Sequence, residues 1–590
     1  MTQKTTVENI KAPKPKDRKG VLKRLWFYLS FYKYKLILGL ILTIVANGLS
    51  LVGPYLIGRM IGAMSEGVKF QEVYVIASIM IAFYITSSVL NYFLSIAMAK
   101  IAQGVVYKLR QDLFEKITRV SVSYFDTNQT GDVISKMSYD IDSISTSLAS
   151  DVISIVTSII TLVVSFVMML AMSPLLVLIF IITIPLSFIT TNMLSRRIKG
   201  RLRLRNKQLG QLNGFSEEMI TAQKTIKSYV QEETTLEKYK IENQDTADKS
   251  YYAGKLSTVV GPTVNFINNL SVVLVTSVGG ILNVYGLITL ASLASFMLYS
   301  RRFSGPINQL SNIVADIQSA LAASERVFAV LDEADEVKDI EDATIIEDPQ
   351  GEIEFKDVNF GYIENRPVIH RLNFKVKPGM RIAIVGPTGA GKTTIVNLLM
   401  RFYEPNEGEI LFDGIPIQTL KRKEYRKNYS MVLQDTWLFR GSVLDNLTYG
   451  NDTKDLNEVI EAAKKAKIHD FITKLPKGYQ TEIADDATNI SKGQKQLLVM
   501  ARAMLSKTKV LIFDEATSNV DTHTEIQIQE AMQNLMKDKT SFIIAHRLST
   551  IQNADLILVL KNGDVIEQGN HEELLKQEGF YYELFMSQFK

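Results

Sequence analysis

The sequence predicts two architectures in one chain: an all-α domain of six transmembrane helices with long intracellular helix extensions, fused to an α/β domain built on a P-loop. Three observations predict it. Ionised side chains are absent from long stretches of the first half, apolar residues in the polar connections recur at helical spacing, and a strand, a glycine-rich loop and a helix follow one another at 381–400.

Residues 1–35 begin as a polar, Lys/Pro-rich tail without the apolar run of a cleavable signal peptide. Residues 21–29 then mix basic and aromatic side chains, as an interfacial elbow helix does. The first span is expected at 36–60, apolar apart from Asn47 and Arg59, and the second at 74–99, which carries no charge. Between 143 and 195 the one ionised residue is Asp151, and between 256 and 300 there is none. Each stretch has room for two spans of roughly 20 residues, at 152–172 and 175–194, then at 258–283 and 285–300. Basic residues gather before the first span and again at Arg196, Arg197, Lys199, Arg201, Arg203 and Arg205. The positive-inside rule puts both groups in the cytoplasm, with the short turns near Glu66, Ser173 and Tyr285 outside. The expectation is a multi-pass protein of the cell membrane with its N-terminus and C-terminal domain cytoplasmic.

The inside connections, 100–150 and 195–257, exceed ordinary loops of about 4–6 residues. Val105, Leu109, Leu113, Phe114 and Ile117 recur at helical spacing, as do Met219, Ile226, Tyr229 and Val230. The spanning helices should therefore continue beyond the apolar stretches and reverse at 126–131 and 212–216. Helix resumes over 303–331, closing a membrane domain at 36–331. The acidic run Asp332, Glu333, Asp335 and Glu336 reads as a solvated linker, 332–350, and residues 351–590 have the composition of a soluble α/β domain.

Composition removes several classes. A hydrophobic share of 46% with 22% charged argues against a wholly soluble enzyme. The 66 Lys+Arg against 62 Asp+Glu leave +4, too near neutral for a broad nucleic-acid surface. With no cysteine there is no disulfide scaffold, thiol nucleophile or thiolate metal site, and five histidines leave little for an all-His site.

The chemistry concentrates after residue 380. The apolar strand 381–385 leads into Gly386-Pro387-Thr388-Gly389-Ala390-Gly391-Lys392-Thr393, then into a helix opening at Thr394. Glycines let backbone N–H groups turn toward phosphate oxygens, and the helix N-terminus adds partial positive charge. Lys392 can bridge β- and γ-phosphates, and Thr393 can offer its hydroxyl to Mg²⁺. Such a loop needs an acid from a neighbouring strand. Residues 510–515 provide four apolar residues ending in Asp514 and Glu515, suited to hold Mg²⁺ through water and to polarise the attacking water. Ser491 and Gln494 have capping-box spacing at the start of another helix, which alone would account for both. The sharper reading is that this helix N-terminus also reads phosphate.

In order, Tyr362, the loop 386–393, Gln434, Ser491-Lys492-Gly493-Gln494, Asp514-Glu515, Ser518-Asn519-Val520-Asp521 and His546 resemble the motifs of the ATP-binding cassette transporters. With six spans ahead of them, the whole resembles an exporter half-transporter. The resemblance implies ATP and Mg²⁺, and two chains that sandwich two ATP molecules, each between one chain's P-loop and the other's signature. By position, Tyr362 would stack on adenine, and Gly386 through Thr394 would surround the phosphates. Ser491, Gly493 and Gln494 would contact the ATP held by the partner. Gln434 would join the Mg²⁺ and γ-phosphate site and couple it to the membrane helices, His546 would contact the γ-phosphate, and Asp521 would link the two sites. The reversals in the inside connections would match the family's coupling helices.

The signature departs from the family's Leu-Ser-Gly-Gly-Gln at Ile490 and Lys492, beside an intact Glu515. That combination resembles the catalytic-Glu subunit of heterodimeric bacterial multidrug exporters. It implies a partner half-transporter with an intact signature and a degenerate catalytic residue, surrounding membrane lipid, a small lipophilic or cationic substrate, and no nucleic acid. A homodimeric lipid or peptide flippase, or an ATP-gated channel or regulatory subunit, remains the alternative.

Overall fold

The computed structural model describes residues 17–65, 67, 69–363, 366–433, 436–451, 453, 455–483, 490–514, 521–544 and 551–587. They form two compact units, one of residues 17–118 and 130–333, the other of 119–129 and 334 onward.

The first unit is helical. Arg18–Ser30 is a short helix that buries Val21, Leu25 and Tyr28 and exposes Trp26 and Phe27. Long helices follow at Lys33–Ser65, Phe70–Ile117, Pro174–Thr221, Glu232–Val284 and Leu290–Leu331, with one helical run over Thr130–Met172. Ser173 stops one helix and caps the next, its hydroxyl accepting from the Leu176 N–H with Pro174 at the first helical position. Thr289 caps Leu290–Leu331 in the same way through Ser292. The Thr130–Met172 run contains two π-helical turns, Lys136–Asp140 and Ser147–Asp151. Asp140 ends the first and is gripped by the Arg326 guanidinium at 2.9 and 2.6 Å. Close packing is built from small residues: a Cβ on Gly58 would stand 2.4 Å from the Ala291 carbonyl oxygen.

Five of these helices are long and apolar enough to cross a membrane: Lys33–Ser65, Phe70–Ile117, Thr130–Met172, Pro174–Thr221 and Glu232–Val284. The expected sixth span, 285–300, is shorter than drawn. Tyr285 to Thr289 form a turn, leaving only the first 11 residues of Leu290–Leu331 before Arg301 and Arg302. The second reversal is also displaced. Residues 212–216 lie inside Pro174–Thr221, because one glycine among helix-compatible residues costs only about 1 kcal/mol. The chain turns instead at 222–231, around the short Gln223–Ser228 helix, with Val230 at φ 51°. The first reversal is a short helix, Val122–Thr127, between Ile117 and Thr130.

Among its described residues the second unit carries twelve strands: β1 Ile353–Phe360, β2 Ile369–Val376, β3 Arg381–Val385, β4 Glu407–Phe412, β5 Ile415–Pro416, β6 Tyr429–Val432, β7 Gly441–Ser442, β8 Glu482–Ile483, β9 Val510–Asp514, β10 Thr540–Ile544, β11 Leu556–Lys561 and β12 Asp564–Gly569. One sheet has the order β12-β11-β3-β10-β9-β6, parallel from β11 to β6 with β12 antiparallel at its edge. A second, antiparallel sheet has the order β2-β1-β4-β5. Alternate side chains of β3, β9 and β10 feed two separate cores, as a pleated strand requires. Ala383, Val385, Leu511, Phe513 and Ile543 pack on the Lys492–Leu505 and Thr522–Met536 side. Ile382, Ile384, Val510, Ile512, Phe542 and Ile544 pack with Ile395, Val396 and Leu399 toward the antiparallel sheet. Burial on both faces explains why these strands read as unbroken apolar runs.

Residues 332–335 of the acidic run are exposed, with Asp332 paired to Arg24, and Glu336 is only partly exposed. Arg426 holds its carboxylate at 2.6 Å, so this end of the run is tied down.

Candidate nucleotide site

β3 is a central strand, so the chain leaving Val385 emerges at the C-terminal edge of the sheet, where parallel sheets present ligands. The loop 386–391 turns there into the Lys392–Leu399 helix. Two glycines are demanded by geometry. A Cβ on Gly386 would stand 2.3 Å from the Leu560 carbonyl oxygen on β11, and Gly391 adopts φ 101° as the residue preceding the helix. Pro387, Thr388 and Gly389 are exposed, while Ala390 is buried and its carbonyl accepts from the Gly563 N–H at 3.2 Å. The loop is thus anchored at its base and open at its crest.

Lys392 is 9% exposed and its Nζ donates back to the carbonyls of Gly386 and Pro387 at 2.7 and 3.0 Å. Burial pushes its ammonium below the ordinary lysine range, and the charge of Asp514 pulls it partly back. A phosphate placed in the loop would meet a desolvated cation already pointing into it. Thr393 is exposed and Thr394 is buried, which divides them. The first can offer its hydroxyl outward, whereas the Thr394 hydroxyl accepts from Tyr362 OH at 3.1 Å.

Asp514 ends β9, but β9 does not adjoin β3. β10 lies between them, and its Ile544 pairs with both Asp514 and Ile384. The expected neighbouring strand is therefore next but one; β-branched and aromatic residues fill β9 and β10 alike, so local pattern cannot order them. Asp514 still shares the edge with the loop, since Ile544 aligns it with Ile384, two residues before Gly386.

Tyr362 stands beside the loop's helix. Its OH also accepts from Asn397 Nδ2 at 3.0 Å, and Phe360 and Tyr403 meet its ring edge-to-face at centroid distances of 5.0 and 4.9 Å. The residue remains 44% exposed, leaving aromatic surface for a planar base. Asn397 and Tyr403 were not anticipated. Asn397 could have been found, lying one helical turn past Thr394, but nothing local marks Tyr403. The Tyr403 OH donates to Asp126 at 2.5 Å, joining this aromatic cluster to the Val122–Thr127 helix. Burial first, and then Asp126, push the Tyr403 phenol well above its ordinary range.

The Lys492–Leu505 helix opens with the anticipated capping box. The Gln494 N–H donates to Ser491 Oγ at 3.3 Å, and the Ser491 N–H donates to Gln494 Oε1 at 3.0 Å. Ile490 is buried at 7% exposure, so in place of leucine it keeps an apolar packing role. Gly493 is buried, while Ser491 and Lys492 are exposed at the helix tip. Among the described residues this tip makes no hydrogen bond to the loop 386–393. Asp521 caps the Thr522–Met536 helix, accepting from the Thr524 N–H at 3.0 Å, a bond that holds its carboxyl below the usual range. Gln434, Glu515 and His546, together with 518–520, lie outside the described residues.

Comparison with known proteins bears on this arrangement. The chain matches the ABC transporter transmembrane region over residues 36–307 and the ABC transporter domain over 369–518. Over 580 residues it is 42% identical to an uncharacterized ABC transporter ATP-binding protein of Bacillus subtilis (strain 168), covering 98% of this chain and 96% of that one. It is 41% identical over 519 residues to a fatty acid ABC transporter ATP-binding/permease protein of Mycobacterium bovis, covering 88% and 82%. Among solved structures, a bacterial Atm1-family ABC exporter with ATP bound superposes with a TM-score of 0.75 at 29% identity, covering 94% of this chain and 98% of that one.

Proposed function

Since the chain belongs to the ABC transporters, as an exporter half-transporter joining a membrane domain to an ATP-binding domain, we propose that it is the hydrolysing subunit of a heterodimeric exporter for lipophilic, lipid-like or cationic compounds. It is a multi-pass membrane protein whose ATPase activity is coupled to transport, and half-transporters work as dimers. The finer reading takes 36–331 as the membrane domain, 332–350 as linker and 351–590 as the nucleotide domain. The N-terminus and the nucleotide domain would lie in the cytoplasm of a cell membrane.

In this reading ATP binds between this chain's loop 386–394 and the partner's signature. Lys392 neutralises phosphate charge, and Tyr362 takes the adenine. The exposed Thr393 hydroxyl and the Asp514 carboxylate are hard oxygen donors at one sheet edge, which suits Mg²⁺. When bound there, Mg²⁺ would supply positive charge to the phosphate oxygens. Glu515 polarises the attacking water, with Gln434 and His546 at the γ-phosphate. Closure of the two nucleotide domains opens the cavity outward, and hydrolysis resets it.

One observation carries the heterodimer: Lys492 is exposed at the first position of the signature helix, where the family has glycine. Self-pairing would put a Cβ and a long cationic chain into both sites, where backbone must approach phosphate closely. Neither site would then have two glycine amides. The lipophilic substrate is supported by spans with aromatic and amide side chains, and by the relative named as a fatty acid transporter. Co-expression with a half-transporter bearing Leu-Ser-Gly-Gly-Gln should give a one-to-one heterodimer in which Glu515→Gln in this chain alone nearly abolishes turnover. If this chain purified alone is a stable dimer with full dye-stimulated ATPase activity, the heterodimer fails and a homodimeric flippase replaces it.

A further inference from the structure

Glu336 lies where three segments of the second unit meet. Its backbone N–H donates to the Arg119 carbonyl at 2.8 Å, just ahead of the Val122–Thr127 helix, and Asp335 forms a bridge with Val120 beside it. Its carboxylate receives two N–H groups of Arg426, from Nη2 at 2.6 Å and Nη1 at 3.2 Å. The same guanidinium also donates from Nε to the Met400 carbonyl at 2.9 Å and from Nη2 to the Arg401 carbonyl at 2.8 Å. These carbonyls lie one and two residues past the C-terminal end of the Lys392–Leu399 helix, whose N-terminal end carries the phosphate loop.

A helix of this length is about 12 Å long, and its last carbonyls have no partner within it. The carbonyls of Asn397, Leu398 and Leu399 are taken by the N–H groups of Phe402 and Arg401 and by the Tyr425 hydroxyl, and Arg426 serves the two carbonyls just beyond them, placing positive charge at the negative end of the helix dipole. Planar and rigid, the guanidinium makes four hydrogen bonds here, two to the carboxylate and two to carbonyls, one more than the three donors of an ammonium allow. Of the neighbouring cations, Arg401 and Arg422 both donate to Glu404, at 2.7 and 2.9 Å, and Arg422 also faces the Glu336 carboxylate from 4.0 Å, beyond hydrogen-bond distance. Glu336 is therefore the carboxylate that connects the end of the P-loop helix to the 119–129 segment and to the chain descending from Leu290–Leu331.

We infer that Glu336 and Arg426 are positioning residues that carry movement of the P-loop helix, when nucleotide binds, to the linker and to the Val122–Thr127 helix. This rests on the ATP-driven cycle proposed above. Removing the Glu336 charge leaves the bonds from Arg426 to Met400 and Arg401 in place, so the nucleotide site persists while the connection is lost. A merely structural pair would lower nucleotide affinity and conformational response together.

The test uses the full chain with its partner in lipid nanodiscs. The chain has no cysteine, so Tyr285→Cys, at an exposed turn between long helices, accepts a single environment-sensitive fluorophore on this subunit. With Glu336 present, Mg-ATP should change its emission; if it does not, the proposed cycle fails and the inference falls with it. If it does, Glu336→Gln should keep the KM for ATP within about twofold while the emission change shrinks at least fivefold, and Glu336→Asp should restore at least half of it. Arg426→Lys, a second route to the same break, should reproduce the loss of response. An undiminished response in Glu336→Gln overturns the inference, as does a parallel loss of ATP affinity and response.

Discussion

Replacing Tyr362 by alanine separates a base-stacking platform from a scaffold for the loop. Stacking of a base on an aromatic side chain is worth about 1–3 kcal/mol by alanine substitution. At about 1.4 kcal/mol per tenfold, ATP affinity should fall by roughly 5- to 150-fold. The geometry adds an internal control. The Tyr362 hydroxyl is engaged with Thr394 and Asn397, whereas the ring keeps enough exposed surface for a base. Tyr362→Phe loses two partly exposed hydrogen bonds, each worth about 1 kcal/mol net to local stability, but keeps the ring. It should therefore change the KM for ATP less than about threefold. Inorganic triphosphate, which has no base, should compete equally well against both variants and the parent protein. The assay is displacement of a fluorescent ATP analogue by ATP and by triphosphate, alongside steady-state hydrolysis, in which Tyr362→Ala should raise KM with little change in kcat. Unaltered ATP affinity in Tyr362→Ala would refute stacking. Equal losses for ATP and triphosphate would make the residue a support for the loop instead.

Three further outcomes are expected. Gly386→Ala forces a Cβ to 2.3 Å from a central-strand carbonyl, and overpacking of this kind costs about 1–3 kcal/mol; thermal unfolding of the full-length protein should move down more than in Gly389→Ala, where no atom lies within 4 Å and only a φ of 83° opposes the substitution. Asp126→Ala removes the acceptor of the Tyr403 hydroxyl, so hydrolysis should persist while dye accumulation by inverted vesicles per ATP falls; abolished nucleotide binding would contradict a coupling role. Glu515→Gln should retain Mg-ATP binding and lose about 10²–10⁴-fold in turnover, the usual contribution of a positioned base, whereas Lys392→Ala should weaken binding itself; near-normal hydrolysis in a contaminant-free Glu515→Gln preparation would remove that residue from the role.

Features carried by contiguous residues were legible in the chain. The strand 381–385, the glycines after it and the helix begun at Lys392 are neighbours in sequence, so their order could be read directly, as could the Ser491–Gln494 capping box. Long apolar helices were legible for the same reason. The turn at 222–231 was not, because Gly214 and its polar neighbours look more like a break than they are. Helix propensity is a weak preference that a long packed helix overrides. Nor was the true extent of the final apolar stretch, since hydropathy does not register that Tyr285–Thr289 turns before the helix begins.

Periodicity and backbone preference are sums over adjacent residues, and from them follow a membrane-embedded helical part, a P-loop domain and the residues proposed to face phosphate. The order of strands about β3, the pairing of Tyr362 with Tyr403, and the seat of Glu336 depend on which distant segments close the same core. Glu336 and Arg426 are 90 positions apart, and Tyr403 and Asp126 are 277 apart. Each such pair reflects a competition among many possible partners, decided by burial, by the loop-closure entropy of the intervening chain and by the need to satisfy buried polar groups. Hence the acidic run that looked solvated is exposed at 332–335 and held at Glu336: charge alone says that a carboxylate prefers water, and only the folded chain brings Arg426 to within 2.6 Å of it.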